Sequence, residues 1–66
     1  MEEDILIFNT KKEAYNYLKQ YAKVNKIKHY EIVEDNYEVE NGLLFFEYDK
    51  QGNEISHYPL VSYLAK

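Results

Sequence analysis

The segment YEVENGLLFFEY, residues 37–48, is the strongest indicator of fold in this chain, because an Asn-Gly pair separates two runs of strand-forming residues. Asn-Gly suits a two-residue turn in which both central φ angles are positive, and such a turn connects antiparallel strands. We therefore predict a β-hairpin centred on Asn41 and Gly42. Its register would pair Glu40 with Leu43, Val39 with Leu44, Glu38 with Phe45, and Tyr37 with Phe46.

A second turn signal, DKQGN, follows at residues 49–53. Asp49 is suited to the opening of a type I turn and Gly52 to its left-handed position. This turn would pair Tyr48 with Glu54, Phe46 with Ser56, and Leu44 with Tyr58. The two turns together predict a three-stranded antiparallel meander.

The segment between residues 10 and 25 has the pattern of a helix. Thr10 and Glu13 have the spacing of a capping box. Beyond them, residues recur at helical spacing and predict a helix from Lys11 to about Asn25. The predicted buried stripe contains Ala14, Leu18, Tyr21, Ala22 and Asn25, with Tyr17 and Val24 at its margins. The predicted solvent face contains Lys12, Lys19, Lys23 and Lys26.

The two ends of the chain are less regular. Residues 4–8, DILIF, form a continuous apolar run and predict a strand buried on both faces. For residues 58–64, YPLVSYL, we favour a short terminal helix with Pro59 in its first turn. The alternative prolongs the last strand past Pro59, in an edge position where proline is tolerated.

The remaining segment, residues 27–36, has strand propensity as far as Val33. Residues 34–36 make either a turn or a bulge in one long bent strand. Together these elements predict a single small α+β domain spanning residues 1–66. It would have two layers, with one long helix packed on a small, mostly antiparallel sheet in the order β-α-β-β-β.

Strand side chains alternate, so the predicted meander has two faces. The first carries Tyr37, Val39, Leu44, Phe46, Tyr48 and Tyr58, with Ser56 and Glu54 near the hairpin tip. The second carries Glu38, Glu40, Leu43, Phe45, Glu47, Ile55 and His57. Burying unpaired glutamates costs several kcal/mol each, and no lysine lies in these strands to pair with them. We therefore predict that the helix covers the first face and that the second faces water.

Composition excludes several kinds of site. The chain has no cysteine, which rules out disulfides and thiolate zinc sites, and the wide spacing of His29 and His57 matches no standard metal motif. Hence we expect no cofactor and no metal. No apolar run is long enough for a membrane span and the first residues are acidic, so we expect a cytoplasmic protein, in the host cytoplasm if phage-encoded.

Charge is unevenly distributed along this chain of net charge −4. Residues 11–28 carry six lysines, whereas residues 29–49 carry seven carboxylates and no lysine. Blocks of this kind affect association and steering rather than fold. All eight cations are lysine, which disfavours bidentate recognition of phosphate or guanine. We therefore do not expect nucleic acid as a direct ligand.

No arrangement of residues predicts an enzyme. Gly42 and Gly52 belong to turns rather than to a phosphate-binding loop. Ser56 and His57 are neighbours on opposite faces of a strand, so they cannot cooperate as nucleophile and base. Paired carboxylates would need a pocket that raises one pKa, and a domain of this size offers little room for one.

The second face is the candidate site, since exposed apolar residues rimmed by charge are typical of a protein-binding surface. Its predicted contact residues are Glu38, Glu40, Leu43, Phe45, Glu47, Ile55 and His57. The predicted partner is a basic protein, such as a nucleic-acid-binding enzyme, whose groove would accept carboxylates in place of phosphates.

In size, acidity, tyrosine content and lack of cysteine the chain resembles phage-encoded inhibitors of host nucleases, glycosylases, polymerases or CRISPR effectors. This resemblance is one of type and covers no aligned motif. It implies a small acidic DNA mimic that blocks a nucleic-acid-binding surface. The alternative is a homo-oligomeric accessory or structural protein, such as a homodimer, whose exposed edge strand pairs with a copy of itself.

Overall fold

The computed structural model describes residues 5–36 and 40–64. Within these ranges one helix packs on one mixed sheet, so the predicted α+β class is confirmed. The elements are β1 (Leu6–Phe8), α1 (Lys11–Val24), β2 (Tyr30–Asp35), β3 (Gly42–Tyr48), β4 (Glu54–Ser56) and β5 (Leu60–Tyr63).

The strands of the sheet lie in the order β1-β5-β3-β2. β4 and β5 pair with opposite ends of β3, and β2 runs along the other side of β3. β4 and β5 therefore act as one strand interrupted at residues 57–59, which include the cis Tyr58–Pro59 peptide. The pair β1 and β5 is parallel, and the other pairs are antiparallel.

The predicted short C-terminal helix is wrong, because Leu60–Tyr63 is strand β5. The chain does continue in extended form past Pro59, as the alternative required, but β5 lies inside the sheet rather than at its edge. Val61 pairs with Leu6 on one side and Leu43 on the other. Pro59 precedes the ladder, so its missing N–H removes no ladder hydrogen bond.

The start of α1 follows the predicted capping box. Thr10 Oγ1 accepts a hydrogen bond of 3.1 Å from the Glu13 N–H, and Glu13 Oε1 accepts one of 3.3 Å from the Asn9 N–H. These bonds use the side chains of Thr10 and Glu13 to satisfy backbone donors at the helix start. Contacts within residues 9–13 therefore stabilise the start of this helix.

The buried stripe of α1 is confirmed at its centre, where Ala14, Leu18 and Ala22 are buried. It ends earlier than predicted, because Val24 and Asn25 are exposed. The Asn25 amide instead caps the helix end by donating to the Tyr21 carbonyl. The predicted solvent-facing lysines are all exposed: Lys12, Lys19, Lys23 and Lys26.

The core shows that the predicted sidedness of the sheet is wrong. Leu43 and Phe45, expected to face water, are fully buried. They pack with Val61 and the buried stripe of α1. Leu44 and Phe46, expected in the core, lie on the opposite face of β3 and are half-buried.

The error comes from the register of the β2–β3 pair. Asp35 pairs with Gly42, so Phe45 lies opposite Ile32 rather than Glu38. Of the proposed hairpin strand, residues 37–39 lie outside the described residues, and Glu40 is in a turn. Asn41 has the predicted positive φ of 57°, but Gly42 already belongs to β3.

A glutamate does lie on the helix side of the sheet, although the sequence predicted that glutamates there would have no partner. Glu34 lies opposite Leu43, and its carboxylate forms an ion pair with Lys11 at the start of α1. The hydrogen bond to Glu34, followed by its negative charge, raises the pKa of Lys11. The helix therefore supplies the cation that the sequence pattern had not placed near the sheet.

The second predicted turn is confirmed. Gly52 has a φ of 89°, and Asp49 Oδ1 accepts hydrogen bonds from the backbone N–H groups of Gln51 and Asn53. Tyr48 pairs with Glu54 as predicted. A bulge next to Tyr48 then shifts the register, so Ser56 lies opposite Glu47 and Leu44 lies opposite Leu60.

The prediction that β1 is buried on both faces is wrong. It lies at the end of the sheet, where one helix covers part of one face, and Leu6 and Ile7 are 41% and 66% exposed. A continuous apolar run is consistent with burial but does not reveal whether the strand is central or at an edge.

Candidate binding surface on the open face of the sheet

The face of the sheet opposite α1 is called the open face. It carries alternate side chains of β2, β3, β4 and β5: Glu31, Val33, Leu44, Phe46, Tyr48, Glu54 and Leu60. Of these apolar and aromatic side chains Leu60 is buried and the rest are half-buried. Among the described elements none packs across this face as α1 packs across the other.

Tyr48 lies between two carboxylates on the open face. Its hydroxyl donates to Glu31 Oε1 at 3.2 Å, and Glu54 lies opposite it in the β3–β4 pair. Partial burial, the hydrogen bond to Glu31 and the negative charges of Glu31 and Glu54 all raise the pKa of Tyr48. The raised pKa therefore keeps the phenol a hydrogen-bond donor to a higher pH than an ordinary tyrosine.

Three further rings extend this group. Phe46 stacks on Tyr48 with ring centroids 6.5 Å apart. His57 Nδ1 lies 3.2 Å from Glu54 Oε2, and the His57 ring stacks on Tyr58 at 4.6 Å. We call this group the Tyr48 cluster; it consists of Glu31, Phe46, Tyr48, Glu54, His57 and Tyr58. It combines carboxylates with flat aromatic surface at one end of the sheet.

The exposed lysines of α1 and the carboxylates of the Tyr48 cluster lie on different sides of the sheet. Lys12, Lys19 and Lys23 are exposed on α1, whose buried stripe packs against the opposite face of the sheet. The Tyr48 cluster contains two carboxylates and no lysine. The open face around Tyr48 therefore carries two carboxylates, whereas the exposed surface of α1 carries several lysines.

The predicted contact residues do not form one surface. Leu43 and Phe45 are inside the core, where neither can contact a partner. Glu47 is half-buried on the helix side of the sheet, where it pairs with Tyr30 and Ser56.

The other predicted contact residues are distributed between the two ends of the sheet. Glu40 is exposed in the turn before β3, and its carbonyl accepts a 3.0 Å hydrogen bond from the Ser62 hydroxyl. Ile55 is 59% exposed on β4, and His57 is exposed beside it. Glu38 lies outside the described residues. Of the seven, His57 alone belongs to the Tyr48 cluster.

The sequence did contain a signal for the residues that were missed. YEIVED, residues 30–35, alternates in a way that puts Ile32 on one face and Glu31 on the other. Pairing this run with β3 places Ile32 opposite Phe45, so two apolar side chains meet on the helix side. The Asn-Gly turn signal is stronger and predicts a different register, in which residues 37–40 pair with β3.

A shallow cleft lies beside α1 and has a volume of about 220 Å³. Its lining consists of Tyr17, Gln20, Tyr21, Val24 and Asn25. These side chains provide apolar surface, phenols and amides, with no carboxylate, histidine or lysine among them. The cleft therefore offers contact surface without the groups needed for acid–base chemistry.

This chain matches no protein-family model, no curated protein and no solved structure. Within residues 5–36 and 40–64, no three histidine or carboxylate side chains are grouped so that they could hold a metal ion. The one helix in these ranges is too short and too polar to cross a membrane. The shape and charge of the described surfaces are therefore the remaining indications of function.

Proposed function

We propose that this protein is a small acidic protein-binding module whose open face docks on a basic surface of another protein. The observation that carries the proposal is the position of Tyr48. It lies on a half-buried sheet face, between the carboxylates of Glu31 and Glu54. Apolar and aromatic surface next to charge is typical of residues that anchor protein interfaces.

The Tyr48 cluster has the chemistry to bind arginine or lysine. A guanidinium can pair with Glu31 or Glu54 while it lies on the ring of Tyr48 or Phe46. The net charge of −4 also favours encounter with a basic surface. A nucleic acid strand would be repelled by the same carboxylates, so a protein is the better partner for this face.

We further propose that the protein is an inhibitor, whose open face competes with nucleic acid for a basic groove on the partner. Proteins that bind single strands combine a positive groove with aromatic side chains that stack on bases. On the open face, the carboxylates would take the place of phosphates in such a groove. The rings of Phe46 and Tyr48 would take the place of bases. On this proposal the protein acts as a nucleic-acid mimic of the kind found among phage inhibitors.

The alternative function, a homo-oligomeric accessory or structural protein, is favoured by a different observation. β1 is an exposed apolar strand at the edge of the sheet, and such edges pair readily with other strands. The alternative requires no partner of another kind and gives the Tyr48 cluster no role beyond a solvated surface.

The proposal is tested with an arginine-rich peptide titrated into isotope-labelled protein and followed by nuclear magnetic resonance. We expect shifts in the backbone amides of Glu31, Phe46, Tyr48 and Glu54, and none along the centre of α1. Glu31→Gln should weaken binding severalfold while it preserves the hydrogen bond from Tyr48. Because Glu40 is exposed at the other end of β3, Glu40→Gln is the matched control and should bind like the unaltered protein.

The inhibitory form needs a second experiment, in which the immobilised protein captures DNA-binding proteins from a cell lysate at low and at high salt. We expect capture at low salt, release at high salt, and displacement of the captured proteins by added DNA. Equal binding by Glu31→Gln and Glu40→Gln would contradict the role of the Tyr48 cluster. Retention of the captured proteins in excess DNA would contradict mimicry.

A further inference from the structure

The chain has two histidines, and the fold brings both to the end of the open face that carries Tyr48. His57 belongs to the Tyr48 cluster. Its Nδ1 lies 3.2 Å from Glu54 Oε2, and the two side chains are 55% and 45% exposed. The His57 ring also stacks on Tyr58, with ring centroids 4.6 Å apart. One imidazole therefore lies beside one of the two carboxylates that flank Tyr48.

His29 lies on the other side of Tyr48, directly before β2. The His29 carbonyl accepts a 2.9 Å hydrogen bond from the Tyr48 N–H, and the β2–β3 ladder continues from there with Tyr30 opposite Glu47. His29 is therefore opposite Tyr48, and it is exposed. Opposite residues in an antiparallel pair lie on the same face of the sheet. Tyr48 thus has one histidine on its β2 side and a second, beside Glu54, on its β4 side.

The other charged groups near the two histidines were considered on every neighbouring element. On the open face they are Glu31 of β2 and Glu54 of β4, and Tyr48 is the titratable group of β3 there. Further charged residues adjoin the site in the chain or on the helix side of the sheet: Lys28, Glu47, Asp49 and Lys50. Carboxylates and lysines keep their charge between about pH 5.5 and 7.5, whereas histidine changes its charge in this range.

Protonation of the two histidines changes the charge of this part of the open face. With both imidazoles neutral, Glu31 and Glu54 give it two negative charges. With both imidazoles protonated, two positive charges offset them. A protonated His57 also forms an ion pair with Glu54, so it competes with a guanidinium for the same carboxylate. The surface that attracts a cation at neutral pH therefore loses that attraction in acid.

We propose that His29 and His57 make the binding of a basic partner at the Tyr48 cluster dependent on pH. The open face binds the partner while both imidazoles are neutral and releases it when they are protonated. This inference rests on the proposed function and adds regulation to the same site. Because coupling between two ligands is reciprocal, a bound cation also opposes the binding of protons.

The first test is the affinity of a labelled arginine peptide with blocked termini, measured by fluorescence anisotropy at about pH 7.5 and about pH 5.5 in the same low salt. Arginine keeps its charge at both pH values, so a change in affinity comes from the protein. We expect the dissociation constant to rise roughly three- to tenfold at the lower pH, an effect of the size that one or two exposed ion pairs produce. Circular dichroism at both pH values shows whether the protein stays folded.

Variants assign the response to the two histidines. The double variant with His29→Gln and His57→Gln should bind the peptide equally at the two pH values, because glutamine stays uncharged. Each single variant should keep part of the response. Gln20→His in the double variant is the matched control. It puts an imidazole at an exposed position of α1, on the other side of the sheet, and should not restore the response.

Calorimetry tests the coupling from the side of the proton. Peptide binding near pH 6.5 should release protons from the unaltered protein, and the measured enthalpy should therefore differ between buffers of different ionisation enthalpy. The double variant should release none.

The outcomes separate this regulation from the proposed function. Equal binding by the unaltered protein at both pH values would overturn the regulation and leave the proposed function in place. A pH response that persists in the double variant, or returns with Gln20→His, would do the same. Unfolding of the unaltered protein at about pH 5.5 would also overturn the regulation, since release would then follow from loss of the fold. Absence of peptide binding at about pH 7.5 would overturn the proposed function and this inference together.

Discussion

Replacement of two neighbouring phenylalanines by alanine tests which face of β3 lies under the helix. Phe45 is fully buried, stacks on Tyr30 at 5.1 Å and meets the edge of Tyr21 at 5.4 Å. Phe46 is half-buried on the open face and stacks on Tyr48. The two substitutions remove the same atoms from adjacent positions, so their difference in stability measures the difference in burial and ring packing between the two faces.

The expected difference is large for a protein of this size. Replacing a core phenylalanine with alanine costs about 3–5 kcal/mol, through lost burial and the cavity that remains. Phe46→Ala should cost about 1 kcal/mol, since its ring is already partly in water. At about 0.05–0.15 kcal/mol per residue, the whole chain is stable by roughly 3–10 kcal/mol. Phe45→Ala should therefore remove much of the stability, or all of it.

The assay is urea unfolding followed by circular dichroism, with the midpoint and slope measured for both variants and the unaltered protein. We expect a small shift in midpoint for Phe46→Ala, and for Phe45→Ala a large shift or no folded baseline. The sidedness predicted from the sequence, with Phe46 in the core and Phe45 in water, leads to the opposite order of stability loss. If Phe46→Ala were the more damaging substitution, the helix would cover Leu44 and Phe46, and the open face described here would be the core.

Three further predictions concern single interactions. Thr10→Ala should lower the free energy of unfolding by about 1 kcal/mol in urea unfolding, because it removes the acceptor for the Glu13 N–H. Gly52→Ala should cost about 1–2 kcal/mol in the same assay; a Cβ there meets no atom within 4 Å, so the cost comes from the positive φ of 89°. Absorbance titration of tyrosinate should show a phenol whose pKa lies above the ordinary value of tyrosine, and Tyr48→Phe should remove it. Because the folded pKa of Tyr48 is raised, its contribution to stability is present below the ordinary value of 10.0 and is lost as pH rises above it.

The elements that depend on local sequence were predicted well. The helix start follows from Thr10 and Glu13, and the turn of residues 49–53 follows from Asp49 and Gly52. In each case the side chains bond to backbone groups a few residues away. Such interactions are visible in the sequence because both partners lie within the same short segment.

The errors concern pairings between distant residues. The Asn-Gly pair predicted a tight hairpin, yet β3 pairs with residues 30–35 across a longer connection. The longer connection brings Ile32 to Phe45 and lets Glu34 reach Lys11. Burial of two apolar side chains and one ion pair therefore accompanies a register that the local turn signal does not indicate. No window of a few residues contains these partners.

Long-range pairing also explains why the predictions of a C-terminal helix and of a fully buried β1 are wrong. Leu60–Tyr63 has helical spacing of its apolar residues, but it forms a strand because β1 and β3 lie on either side of it. Those two partners come from residues 6–8 and 42–44, far apart in the sequence. The position of a strand within a sheet is a property of the assembled chain.

The described part of this protein has a single helix for a sheet with two faces and two edges. One face and one apolar edge of the sheet are therefore left uncovered. The helix buries Leu43 and Phe45 and leaves the face of Phe46 and Tyr48 without a second layer. It also leaves β1 exposed at the end of the sheet. Glu31 and Glu54 put charge beside Tyr48 on the uncovered face, whereas the edge at Ile7 consists of apolar residues. A charged face favours a partner of opposite charge. We therefore propose that the open face meets a basic partner, while the exposed β1 edge is the feature that favours the alternative of self-association.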